Sequence, residues 1–182
     1  MRRHLTFFVA LLAIWLSLPA AAVSADDKLT FLGESYGVAF RKADAGHHAI
    51  IELLRSGEDL KSWKKLLGLH RFRQSTQSPK QAAIAVATEL RKRDPSARFE
   101  ISEHAQTEQV LIDFLAFDGP TVEFNAFKYR RASKGGGLVA VQYAERFTLG
   151  AVDAQSLKEL RRRAIAALAG FDLGSVEGWF DR

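Results

Sequence analysis

The sequence predicts an α+β domain: an antiparallel sheet of about six strands, with two main helices and one short helix packed on it. Three observations carry that prediction. Strand-like runs follow one another through short turns rich in Gly, Pro and Asp, which joins neighbours antiparallel. Two stretches place apolar residues at helical spacing behind recognisable N-caps. The composition is that of a globular chain, with 182 residues, 47% hydrophobic and 26% charged. It excludes collagen-like and low-complexity chains, and the absence of cysteine excludes a disulfide-stapled scaffold.

The first element is an expected export signal over residues 1–25. Arg2 and Arg3 form a positive start, and Leu5 to Leu18 is apolar. Pro19 breaks that run, and the small residues up to Ala25 form a cleavage site. The run falls short of the roughly 20 residues that span a bilayer, so no transmembrane anchor is expected after cleavage. Residues 26–182 then form one domain of 157 residues, with 24 basic and 21 acidic side chains. That small positive excess gives weak attraction for nucleic acid, which is not an expected partner. With no cysteine the chain has neither a disulfide nor a lipoprotein attachment site. The alanine-rich signal points to the periplasm, with release to the medium second.

Leu29 to Phe40 alternates loosely around Gly33 and Gly37 and predicts a hairpin. His47 to Leu54 predicts a strand. Gly57-Glu58-Asp59 opens the predicted short helix, in which Leu60, Trp63 and Leu67 recur at helical spacing before Gly68. Leu69 to Arg73 predicts a strand with a basic outer face. Ser78-Pro79-Lys80-Gln81 is a capping box with proline at N1. The helix it opens places Ala83, Ile84, Ala87 and Leu90 on one stripe and ends at Asp94-Pro95.

Strands are then expected at 98–103, 109–117, 121–131 and 138–149. The second is apolar on both faces, the pattern of a central strand. Ser133 to Gly137 is a hairpin loop rather than a phosphate loop, because it lies between strands. Asp153 caps the last helix, with Leu157, Leu160, Ala164 and Leu168 inward and Gly170 as its C-cap. No sequence repeat or linker divides the chain. With the helices on one face of the sheet, the expected architecture has two layers.

This order of elements resembles the PsbP-like fold, and the segment Gly57-Glu58-Asp59-Leu60-Lys61-Ser62-Trp63 resembles segments of uncharacterised exported bacterial proteins. The resemblance implies a curved antiparallel sheet and a binding or assembly role without catalysis. It transfers no functional residue. A cystatin-like or NTF2-like sheet is the competing fold, but those place the main helix at the N-terminus.

Chemistry-bearing residues are few. His48 and Glu52 would share one face of a strand, as two metal ligands or an acid–base pair. His70 and His104 read as isolated surface residues. Arg71, Arg73, Lys128, Arg130 and Arg131 lie on strands near Phe72, Phe127 and Tyr129, and read as a solvated sheet face with arginine stems over apolar area. From that set Arg71, Arg73, Tyr129 and Arg131 are candidate contacts for an anionic or apolar ligand. Trp63, Trp179 and Phe180 are candidate docking aromatics, weighed against ordinary core packing. No serine elbow and no cysteine nucleophile occurs, and no cofactor is implied. The expectation is a non-enzymatic binding or assembly module for an envelope protein or small ligand. The alternative is a small exported metal-dependent enzyme or factor using His48 and Glu52. Oligomeric state is not encoded legibly.

Overall fold

The computed structural model describes residues 28–44, 47–104 and 106–181; the expected signal peptide lies outside them. The chain runs β1 (Lys28–Phe31), β2 (Glu34–Ala43), β3 (His48–Arg55), β4 (Lys65–Phe72), α1 (Pro79–Arg93), β5 (Phe99–His104), β6 (Gln109–Asp118), β7 (Thr121–Arg131), β8 (Leu138–Thr148), α2 (Ala154–Gly170) and α3 (Leu173–Glu177). A 3₁₀ turn at Gly178–Phe180 follows. The strands form one antiparallel sheet in the order β1-β2-β3-β4-β8-β7-β6-β5. The sheet therefore has eight strands rather than about six. Two four-strand meanders meet where β4 pairs with β8 along Lys65–Phe72. The central strands are β4 and β8, and β6 lies one in from the edge.

Helices cover both faces, so the expected two-layer packing gives way to three layers. The reason is the double-sided apolarity of the second meander. On the front face, α1 buries Ala82, Ala83, Val86 and Ala87 against Val110, Ile112, Phe114, Phe127 and Tyr129. On the back face, Leu160, Ala164 and Leu168 of α2 pack with Leu111, Phe124, Ala126 and Val141. Leu173 and Val176 of α3, and Trp179 after it, continue that core over Tyr36, Leu53, Leu67 and Leu69 of the first meander. Apolar strand faces of this kind each need a cover. No described helix is long and apolar enough to cross a membrane.

The Ser78 capping box forms as predicted, with the Gln81 amide donating to Ser78 Oγ at 3.2 Å and Gln81 Oε1 accepting from the Ser78 amide at 2.8 Å. Ile84 of the predicted stripe is instead 46% exposed. α2, expected to end on Gly170 as its C-cap, has Phe171 as C-cap and Gly170 as its final residue.

The predicted short helix over 57–67 is absent. Gly57 takes φ +82°, and the Asp59 carboxylate accepts from the amides of Lys61 and Ser62 at 2.7 and 2.9 Å. Those bonds hold a turn in place of a helical ladder. Leu67 and Gly68 then belong to β4. Gly137, at φ +78°, lets the β7–β8 loop pass so close to β4 that a Cβ there would sit 1.9 Å from the Phe72 carbonyl oxygen.

Candidate functional site

Alternation along β3 puts His48, Ile50, Glu52 and Leu54 on the front face. The register continues that face across Phe40 of β2, opposite Glu52. It passes to Leu66, Gly68, His70 and Phe72 of β4, to Ala140, Gln142 and Ala144 of β8, and to Asn125 and Phe127 of β7. The packing of α1 falls on β5, β6 and β7. At the other end the 56–64 turn folds over Leu54, Leu66 and Ala144 with Trp63. Between α1 and Trp63 a strip of the front face carries no described helix, and its floor is polar.

That floor is one chain of hydrogen bonds across four strands. Arg146 Nε donates to Glu123 at 2.8 Å, and Asn125 Nδ2 donates to the other Glu123 oxygen at 2.9 Å. Gln142 Nε2 donates to Asn125 Oδ1 at 2.8 Å. Gln142 Oε1 faces His70 Nε2 at 3.2 Å, and His70 Nδ1 faces His48 Nε2 at 3.3 Å. The Glu123 carboxylate can only accept, and this fixes the direction of every later bond. His70 therefore carries its proton on Nε2, and His48 donates from Nε2. Burial, then the neighbouring His48, pushes His70 down to about 3, so it stays neutral. Burial also lowers His48. The rings of His48 and Phe72 stack at 4.5 Å.

Glu52 stands apart from this chain. It makes no hydrogen bond or ion pair among the described residues, and burial raises its carboxyl, aided by Glu123 and opposed by Arg146. Its neighbour across β4 is Gly68, where a Cβ would meet His70 Nε2 at 2.8 Å and Gln142 Oε1 at 2.9 Å. The glycine leaves room for the His70–Gln142 bond.

His48 and Glu52 do lie on one face of β3, two residues either side of Ile50. Among the described residues no group of three or more His, Asp or Glu side chains is placed to hold a metal. His70 is buried at 7% exposure, contrary to the surface reading, whereas His104 is exposed. Sequence reasoning also passed over Gln142, Asn125, Glu123 and Arg146. Their one signal was polar residues at alternate positions of strands otherwise apolar on that face.

The basic residues do not form one solvated sheet face. Arg71 and Lys128 are buried on the back. Arg71 donates to the carbonyls of Lys134 and Gly136 at 2.8 Å and of Leu138 at 3.2 Å. Lys128 Nζ donates to the carbonyls of Ala169 and Phe171, closing the C-terminus of α2. Arg130 pairs with Glu177 at 2.6 Å. Arg73 and Arg131 are exposed. Tyr129 is buried under α1. Trp63 is buried, with the Arg146 guanidinium 3.6 Å above its ring. Trp179 and the partly buried Phe180 pack in the back core.

A second, open depression of about 300 Å³ lies by β5, lined by Phe99, Phe114, Leu157 and Arg161 among others. Its Arg161 is already bound to Asp113, through Nε at 2.6 Å, and to Glu100 at 2.8 Å. The front strip is the better candidate.

The fold and strip define an α+β domain with an open eight-stranded antiparallel sheet. A protein-family model matches residues 23–173, most of the chain, and the chain belongs to that uncharacterised family. No curated protein matches it.

Proposed function

We propose that the protein is exported to the periplasm, with the medium as the second destination, and acts there as a non-enzymatic binding module whose ligand lies along the front strip. One observation carries this reading. The strip between α1 and Trp63 has a connected hydrogen-bonded floor from His48 to Arg146, yet Phe40, Ile50, Glu52 and Gln142 on it are only partly buried. A connected floor is rigid, and apolar side chains beside it supply contact area. The resemblance of the element order to PsbP-like domains supports a binding role. The N-terminal pattern of Arg2, Arg3 and the apolar run to Leu18 supports export.

Native mass spectrometry of the protein, purified from the envelope of the cell that makes it, tests the reading. The expected result is a mass above that of the polypeptide, lost when Ile50→Arg fills the strip. A bare polypeptide, whose crosslinked partners do not change on Ile50→Arg, overturns it. A retained metal that is lost on His48→Ala would instead favour the alternative, a metal-dependent enzyme or factor using His48 and Glu52.

A further inference from the structure

We propose that the front strip binds an alkylammonium group, with the Glu52 carboxylate as counter-ion and the Phe40 ring beside it. This rests on the binding reading and assigns the charge of the ligand. The other polar side chains that line the floor have partners: His48, His70, Gln142, Asn125, Glu123 and Arg146 belong to one chain of bonds. Glu52 has none among the described residues, and its cross-strand neighbours Gly68 and Phe40 offer no side-chain donor.

The nearest guanidinium, Arg146, is bound to Glu123 and stacked on Trp63. A partly buried carboxylate without a partner is costly, and a cation carried in by a ligand removes that cost. The Phe40 ring, opposite Glu52 in the register, is aromatic surface that attracts an ammonium. An anion would meet Glu52 and Glu123, and Lys42 at the β2 edge is already paired with Asp44 at 3.3 Å. A neutral ligand would leave Glu52 unpaired. The half-buried setting of Ile50 and Phe40 suits a slim alkyl tail rather than a folded surface.

The ionisable groups that face Glu52 are His48 from β3, His70 from β4, Glu123 from β7, Arg146 from β8 and Lys42 at the β2 end. Burial keeps His70 neutral and lowers His48, and the Glu123–Arg146 pair is closed, so Glu52 is the acidic group left to set the pH response. Protonation of Glu52 removes the counter-ion, and ammonium binding weakens as pH falls.

Calorimetric titration with hexylamine, hexanol and hexanoate tests the proposal on the protein purified from its cell. Hexylamine is expected to bind about tenfold or more tightly than hexanol or hexanoate. Its affinity should fall as pH is lowered, beginning above the ordinary glutamate range. Glu52→Gln should lower hexylamine affinity about tenfold and abolish that pH dependence. Phe40→Leu, a second variant that leaves the carboxyl in place, should weaken hexylamine but not hexanol. Equal binding of hexylamine and hexanol, unchanged affinity in Glu52→Gln, or no hexylamine binding would overturn the proposal. If hexylamine fails while the native spectrum still shows a ligand lost on Ile50→Arg, the charge assignment falls and the binding reading stands.

Discussion

Gly68 shows how one missing side chain organises the strip. The His70–Gln142 bond spans β4 and β8 at 3.2 Å, and both of its atoms lie within 3 Å of where a Cβ on Gly68 would sit. The His70 ring is buried and packed near Phe127, so it has little room to yield. Gly68→Ala should therefore cost about 1–3 kcal/mol, the usual range for overpacking. Urea unfolding measures the cost. An unchanged midpoint would mean the histidine–glutamine bond shifts freely. Gly68 carried no such meaning in the sequence, where it read as a helix stop. Its role depends on a register that brings Gln142 beside it from 74 residues away. Glu52 and His48 were legible because alternation along a single strand is local. Asn125, Gln142 and Arg146 were not, because only strand pairing joins them to β3.

At the level of elements, the sequence was most informative where the deciding bonds are local. The Ser78–Gln81 box, the β1–β2 hairpin and the β7–β8 loop all form where expected. The 57–67 segment failed because the Asp59 carboxylate holds the Lys61 and Ser62 amides in a turn and Lys65 onward pairs as β4. The basic strands failed because Arg71 and Lys128 are spent on carbonyl groups distant in sequence. The β7–β8 loop illustrates that kind of distant tie a second time. Glu177 accepts from Arg130 at 2.6 Å, from the Ser133 amide and hydroxyl at 2.9 and 2.8 Å, and from the Lys134 amide at 3.3 Å. Burial works to raise this carboxyl, but the bonds from Ser133 and Arg130 outweigh it and hold it below the ordinary range. Its stabilising effect is thus present above the pKa of an unfolded glutamate and lost as pH falls through the folded value. Glu177→Ala should cost about 2 kcal/mol at neutral pH, as for charge-assisted bonds, and speed hydrogen exchange at Ser133 and Lys134 first. Exchange that rises equally across all strands would show that the loop has no stability of its own.

For the whole molecule, the α+β class and the antiparallel joining were readable. The strand runs were readable one by one although their sum was put at about six, whereas the third layer was not readable, because it depends on which faces the two helices choose. The same meander occurs twice, yet α1 and α2 take opposite faces of the second copy. The front face from β3 across β4 and β8 to β7 is left with a polar floor, and acid should attack the fold there. His70 is held neutral at about 3, whereas an unfolded histidine titrates at about 6.5. The unfolded chain therefore takes up a proton that the folded chain refuses. The stabilising effect of His70 is complete above about pH 6.5 and is lost as pH falls toward about 3. Between pH 7 and pH 5 this one group should remove about 2 kcal/mol. Glu52 acts in the opposite sense, since its raised carboxyl gains a proton in the folded chain before the unfolded one. The carboxyls held low, such as Glu34 and Glu58, contribute mainly at more acidic pH. Urea unfolding of the wild type, His70→Gln and Glu52→Gln at both pH values separates these contributions. The loss on acidification should be smaller in His70→Gln than in the wild type, and larger in Glu52→Gln. If His70→Gln loses as much as the wild type, the folded protein does protonate His70, and the one-way hydrogen-bond chain across the sheet is wrong.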